Sequence, residues 1–187
     1  MEEAVYRHPK IYFISGKAQH GKTTTGSIIK DEYEKRGKKV AVTLYARYLK
    51  DYAKSFFGWD GREETKPREL LQQLGTDIIR GKLNKQEFFV NRMIEDIEIL
   101  SYFFDVIIVD DVRIEIEIEK PKRVFDNITC IEIIRDNFDN GLTDKQKHNL
   151  TEIGLDNYHK FDYTVYNDGS IDDLKSKIIS IIDKEEK

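Results

Sequence analysis

Short apolar runs alternate with longer amphipathic stretches along this chain, and the alternation predicts its elements. Ile11 to Ser15 reads as a buried strand that stops at Gly16. Thr23 to Arg36 is helix-like and ends at Gly37, a residue suited to closing a helix. Val40 to Leu44 is the next strand, and Leu49 to Phe57 is a short helix closed by a loop holding Gly58 and Gly61. Pro67 opens a further helix, where proline is tolerated in the first turn, and Leu70, Leu71, Leu74 and Ile78 share one face. Gln86 to Leu100 carries a second stripe of Phe89, Met93, Ile97 and Leu100. Val106 to Val109 is fully apolar and runs into Asp110 and Asp111. Ile128 to Ile134 and Tyr163 to Tyr166 are the remaining strands, and Ile171 to Lys184 is a terminal amphipathic helix.

Strands that read as apolar runs and alternate with helices predict a mostly parallel, five-stranded sheet with helices on both faces, a three-layer α/β fold. Ile114, Ile116 and Ile118 alternate with Glu115, Glu117 and Glu119, which is a strand-like period. A connection between parallel strands is usually helical, so a short helix is expected there.

The length of 187 residues suits a single domain, 1–187, with one sizeable core. A net charge of -4 implies no general attraction to nucleic acid or to an anionic membrane, so any phosphate must be held by local groups. The single cysteine, Cys130, excludes an internal disulfide and a Cys-rich zinc site, and its apolar surroundings suggest a buried thiol. Met1 to Lys10 is charged, and no apolar stretch reaches the ~20 residues that span a bilayer. A cytoplasmic setting is expected.

The chemistry centres on Gly16-Lys17-Ala18-Gln19-His20-Gly21-Lys22-Thr23, a complete Walker A loop between the first strand and the first helix. Its glycines let backbone N–H groups approach phosphate oxygens, and the helix that follows adds its positive end. Lys22 supplies a cation to the β- and γ-phosphates, Thr23 offers a hydroxyl to Mg²⁺, and Thr24 continues the loop into the helix. The backbone of His20 is expected to matter more than its imidazole. The alternative, a Gly-rich turn without a ligand, fits the strand–loop–helix context poorly. Asp110 and Asp111 end the most apolar strand, where functional groups of parallel sheets gather, and one of them is placed for the Walker B role. A helix N-cap is the bland reading of that pair.

A P-loop does not name a reaction. No Asn-Lys-x-Asp stretch marks a GTPase, and the chain is short for a motor ATPase. Arg47, Arg80, Arg113 and Arg135 lie near predicted strand and helix ends. Such cations suit a transferring phosphoryl group, since arginine is always charged and binds phosphate bidentately. Counted at ~100° per residue, Arg80 points about 200° from Ile78, so the apolar pattern does not require it. Tyr45, Tyr48, Tyr52, Phe56, Phe57 and Trp59 read mainly as core aromatics.

Several of these segments resemble the phage and bacterial deoxynucleoside monophosphate kinases. Tyr45-Ala46 followed by Leu49-Lys50 is similar to the segment after that family's second strand. Leu71-Gln72-Gln73-Leu74-Gly75-Thr76-Asp77-Ile78-Ile79-Arg80 resembles its Leu-Leu-Gln-x-x-Gly-Thr-[Asp/Glu]-x-x-Arg helix. Asp111-Val112-Arg113 resembles its Asp-Val-Arg signature, and Phe161 to Ser170 its closing strand and nucleotide-base loop. There are departures. The P-loop has Lys-Thr-Thr where the family often has Lys-Asp-Thr. Ile114-Glu115-Ile116-Glu117 stands where Phe-Pro-Asn-Glu is common, and His148 to Glu152 only loosely matches a His-Ser-Glu segment.

The resemblance implies a division of labour. The P-loop, with Asn167 and Gly169, would hold ATP, and Thr23 with Asp111 or Asp110 would hold Mg²⁺. A helical region of about 45–100 would cover a nucleoside monophosphate through Tyr45, Lys50, Thr76, Asp77, Arg80 and Arg113. Lys22, Asp111, Arg80, Arg113 and Arg135 would be the catalytic set. A lid of about 135–158, poor in apolar residues, would be mobile without ligand and close over the donor. A homodimer is compatible with the sequence, and neither nucleic acid nor membrane is expected as a partner. The rival readings are another small P-loop kinase, of the dephospho-coenzyme A or phosphomevalonate kind, and a nucleotide-binding protein without transfer activity.

Overall fold

The computed structural model describes residues 4–136, 138, 141, 143 and 148–186. Part of the expected lid, at 137, 139, 140, 142 and 144–147, therefore lies outside the described residues. Five strands, β1 (Lys10–Ser15), β2 (Val40–Thr43), β3 (Val106–Val112), β4 (Ile128–Ile134) and β5 (Tyr163–Tyr166), form one sheet in the order β2-β3-β1-β4-β5. Every pairing between them is parallel. The helices are α1 (Lys22–Lys35), α2 (Arg47–Phe57), α3 (Arg68–Gln72), α4 (Phe88–Leu100), α5 (Ile116–Glu119), α6 (Leu150–Ile153) and α7 (Ile171–Glu185).

In the central strands β1, β3 and β4, alternate residues enter two separate cores. Ile11, Phe13, Ile107 and Val109 pack with Phe89, Met93 and Ile97 of α4. Tyr12, Ile14, Ile108 and Ile133 pack with Ile29 of α1 and Leu174, Ile178 and Ile182 of α7. Burial on both faces is why these strands read as continuous apolar runs. Tyr12 and Tyr33 satisfy each other inside the second core, their hydroxyls 2.8 Å apart.

Local signals end the helices. Gly37 takes φ 75° just past α1 and Gly58 takes φ 72° after α2, both left-handed closures. Ser170 and Asp173 form a capping box at the start of α7. The Ile114 to Glu119 segment is the expected short helix, α5.

Two boundaries differ from the sequence reading in ways that shape the site. β3 does not stop at Val109 but runs through both aspartates to Val112. Its pairing with β1 slips from Phe13↔Val109 to Ser15↔Val112, a bulge that sets Asp110 and Asp111 opposite Ile14. The helix after Pro67 also changes character: α3 widens into a π-helix over Gln73–Lys82. Its buried residues are Gly75 and Arg80, five positions apart, so the face that Leu70, Leu71, Leu74 and Ile78 define is not the one turned to the core, and a count from Ile78 misplaces Arg80. Leu70, Leu71, Leu74 and Ile78 are only half-buried, and Leu71 lines a cavity with Gly75, Thr76 and Arg80 of the same helical segment.

Candidate active site

The C-terminal ends of all five strands lie at one edge of the sheet, the place where open parallel sheets bind ligands. β1 feeds the P-loop there. Gly16 has φ 146°, and a Cβ on it would sit 2.4 Å from the Ile133 carbonyl oxygen of β4. Gly21 has φ 104°, and a Cβ there would sit 2.6 Å from Asn167 Nδ2. Neither position admits another residue without displacing a neighbour.

The loop is braced from β4 and β5. Asn167 donates to the His20 carbonyl at 2.9 Å, and His20 Nδ1 accepts from the Arg135 N–H at 3.1 Å. Burial lowers the His20 pKa, which favours the neutral ring that can accept this bond. The imidazole thus joins the P-loop to the end of β4, a role beyond the backbone one expected for it. A Cβ on Gly169 would meet Asp173, so this glycine packs against the capping box of α7.

Lys22 is buried and folds back on the loop, donating to the carbonyls of Gly16 (2.7 Å) and Lys17 (2.8 Å). Burial, helped by the Arg113 guanidinium, pulls its pKa down to about 7. An anion beside it would restore the charged form. Thr23 and Thr24 are exposed at the loop mouth.

The two aspartates have different neighbours. Asp111 accepts the N–H of Tyr45 at 2.7 Å and of Ala46 at 2.9 Å, one on each oxygen. It therefore anchors the turn between β2 and α2. Burial and the Asp111 charge raise the Asp110 pKa, while the nearby Thr23 side chain lowers it. Gly26 of α1 lets that helix approach: a Cβ on it would be 3.4 Å from Asp110 Cβ. Lys50 lies near enough to lower the pKa of both aspartates.

Two cavities meet at α6. One, of about 210 Å³, is lined by Gly16, Lys17, His20, Arg113, Thr151 and Glu152. The other, of about 230 Å³, is lined by Leu49, Lys66, Arg68, Leu71, Thr76 and Arg80, and again by Thr151 and Glu152. Arg80 is buried beneath it, its guanidinium 4.8 Å from the Phe89 ring, and its Nε has no hydrogen-bond partner. Tyr45 is a core residue whose hydroxyl donates to the Glu117 carbonyl at 2.6 Å. Asp77 is exposed and lines neither cavity. Arg135 is exposed and stacks on Phe138 at 4.0 Å. Arg47 pairs with Asp96 on α4.

Residues not singled out from the sequence also converge here. Glu152 joins Arg113 Nη1 at 2.6 Å and accepts the Ala18 N–H at 3.1 Å, while Asp156 pairs with Lys17 at 3.0 Å. Lys66 and Arg68 line the second cavity. Glu117 is buried against Arg80. For Glu117 there was a signal: it stands fourth after Arg113, where the Phe-Pro-Asn-Glu stretch places its glutamate. For Glu152 there was only the loose His-Ser-Glu match.

Solved structures that share the fold include the following three kinases. The APS kinase of Mycobacterium tuberculosis in complex with AMPPNP and APS has a TM-score of 0.58 at 11% identity, covering 94% of this chain and 98% of that one. The dephospho-CoA kinase of Campylobacter jejuni has a TM-score of 0.53 at 14% identity, covering 95% and 98%. The shikimate kinase of Aquifex aeolicus vf5 has a TM-score of 0.52 at 14% identity, covering 93% and 96%. In sequence, the deoxynucleotide monophosphate kinase of Escherichia phage RB69 is 30% identical over 115 residues, which are 62% of this chain and 44% of that protein. The match thus spans less than half the phage protein. The family model for deoxynucleotide monophosphate kinase matches residues 45–178, the stretch that holds the second cavity, the aspartates and α6. This chain therefore belongs to the deoxynucleotide monophosphate kinase family.

Proposed function

We propose that this protein transfers the γ-phosphate of ATP to a (deoxy)nucleoside monophosphate, in a Mg²⁺-dependent reaction that yields ADP and the nucleoside diphosphate. The observation that carries this reading is Arg80. A guanidinium is buried beside a cavity that adjoins the P-loop, with its Nε unpartnered, an arrangement that calls for an anion. Lys66 and Arg68 add positive charge to the same cavity.

The reaction asks little covalent work of the protein. An oxygen of the acceptor phosphate attacks the γ-phosphorus as the bond to the β–γ bridging oxygen breaks. With a second pKa near ~6, that phosphate is already largely a dianion at neutral pH, so no general base is required. Catalysis then rests on positioning and on cations. The P-loop amides and Lys22 hold the donor, Arg80 the acceptor, and Arg113 serves both from the end of β3. The segment of about 135–158 forms the lid, with Arg135 at its root. The domain remains one unit, with 45–100 as its acceptor side.

The residues present fit Mg²⁺. No group of three or more His, Cys, Asp or Glu able to hold a metal occurs among the described residues. Magnesium in phosphate sites needs only one or two carboxylates and keeps most of its waters. Thr23 and Asp110, which lie close enough to influence each other, would supply that set. When bound, the ion would offset the negative charge of the phosphates. Asp110→Asn should raise the Mg²⁺ concentration needed for half-maximal binding of an ATP analogue about 10-fold, with little loss of thermal stability. Asp111→Asn should instead destabilise by ~1–3 kcal/mol, since an amide cannot accept both N–H groups of the β2–α2 turn. Calorimetric Mg²⁺ titration and thermal melting separate the two, and a metal effect confined to Asp111→Asn would reverse the assignment.

Glu152 and Asp156 place carboxylates on the Ala18 N–H, Arg113 and Lys17, groups that the donor phosphates also need. Entry of the triphosphate then requires α6 to let go. Glu152→Gln keeps an acceptor for Ala18 but removes the competing charge, so it should tighten binding of an ATP analogue about 2- to 5-fold, the scale of a partly exposed ion pair. A direct binding titration measures it, and unchanged or weaker binding would show that Glu152 does not compete with phosphate.

The whole reading is tested by a panel of dAMP, dGMP, dCMP and dTMP with ATP and Mg²⁺. Transfer to at least one, above ATP hydrolysis alone, is the expected result. Hydrolysis without transfer to any of them would favour the non-kinase reading, and transfer only to hydroxyl acceptors would favour another small P-loop kinase.

A further inference from the structure

Glu117 lies on the four-residue helix α5 and is 2% exposed. Nothing in the phosphoryl transfer described above uses it. Its carboxylate is divided between two tasks. Oε2 accepts the N–H of Arg113 at 2.8 Å and of Ile114 at 3.3 Å. Oε1 faces Arg80 Nη2 at 3.4 Å. Its own carbonyl takes the Tyr45 hydroxyl at 2.6 Å. One buried residue thus touches the π-helix, the end of β3 and the β2–α2 turn, the three elements that wall the acceptor side.

Stability does not account for it. A buried ion pair is often no better than apolar packing of the same volume, and here both charges are out of water. Burial, with the Asp111 charge next in weight, pushes the Glu117 pKa up to about 7, and burial lowers that of Arg80. Both ions are thus held at some cost. The geometry suggests a use for that cost. At 3.4 Å the carboxylate meets one nitrogen of the guanidinium and leaves Nε unpartnered. A close bidentate pair would have spent the fork that a phosphate needs. Phe89 holds the cation through its ring, 4.8 Å from Cζ, and Glu117 restrains it from Nη2. The side chain is restrained while part of its fork stays free.

We infer that Glu117 is a positioning residue for the acceptor: it orients the buried Arg80 guanidinium and ties it, through the main chain of Arg113 and Ile114, to the end of the strand that carries the Walker B aspartates. This rests on the reading that Arg80 receives the acceptor phosphate. A preset separation between Arg80 and Arg113 would place the acceptor phosphate relative to the donor before the lid closes. Small displacements of such groups are costly to rate, so their support matters as much as their presence.

A purely structural Glu117 would only cap the turn after β3, through Oε2. Glu117→Gln separates the two roles, because its amide oxygen can still face the two N–H groups while the negative charge beside Arg80 is gone. Steady-state kinetics would use the most active acceptor of the four deoxynucleoside monophosphates, varying each substrate separately. The inference expects the acceptor KM to rise about fivefold or more, with the KM for ATP within about twofold of wild type. In an Arg80→Lys background the same change should add little, since residues that act as a unit are non-additive. Glu117→Asp, which keeps the charge but withdraws it by one methylene, should fall between the two and serves if Glu117→Gln does not fold. An unchanged acceptor KM in a folded Glu117 variant would overturn the inference, as would an effect that multiplies fully with that of Arg80→Lys. If Arg80→Lys itself leaves the acceptor KM unchanged, the acceptor reading fails, whatever Glu117 does.

Discussion

Lys22→Ala should lower kcat/KM for phosphoryl transfer by about 10³-fold or more while the protein stays folded. Removing a single preorganised donor from a site of developing charge typically costs ~3–4 kcal/mol, which is 10²- to 10³-fold, and Lys22 carries a full charge besides. The fold should tolerate the change for a reason visible in the structure. Lys22 makes no contribution to either apolar core. Its two bonds, to the Gly16 and Lys17 carbonyls, are offset by the burial of its ammonium, which is why its pKa falls to about 7. Lys22→Met keeps the apolar stem without the charge and should be equally inactive. Transfer assays beside thermal melts decide the matter. A folded Lys22→Ala protein that transfers phosphate at the wild-type rate would end the P-loop reading.

The second large effect is expected at Arg80. Arg80→Lys keeps a positive charge but loses the planar fork, and the shorter reach of its single ammonium leaves the contact with Phe89 weaker. A hydrogen bond to a charged group is worth ~1.5–3 kcal/mol, so the acceptor KM should rise about 10-fold or more. The KM for ATP should change much less, because the P-loop cavity is lined by other residues. If the contact forms only in the transition state, kcat would fall in place of the rise in KM, and kinetics with each substrate varied separately would show which. A variant indistinguishable from wild type in both constants would place the acceptor site elsewhere.

The sheet and the phosphate loop were legible in the residues alone. The central strands β1, β3 and β4, buried on both faces, leave apolar runs, the edge strands β2 and β5 leave shorter ones, and the Gly16 to Thr23 motif demands glycines at steric points that the structure shows to be closed. The short helix after Arg113 was also within reach, because parallel strands need a helical crossover. Three things were decided only in three dimensions. The register slip between β1 and β3 separates the jobs of Asp110 and Asp111, and a slip depends on the partner strand, which no local pattern encodes. Over Gln73–Lys82 the buried face is set by Gly75 and Arg80, whereas the apolar residues from which Arg80 was counted are only half-buried. The last is the company that charged residues keep. Glu117 and Glu152 look like two more acids in a chain with 35 of them, and an acid in water and an acid facing a buried guanidinium carry the same letter. What separates them is burial and a partner dozens of residues distant: Arg80 lies 37 positions from Glu117, and Arg113 lies 39 from Glu152. Electrostatic pairing at that range is set by the packing of the helices over the sheet, which only the folded chain supplies.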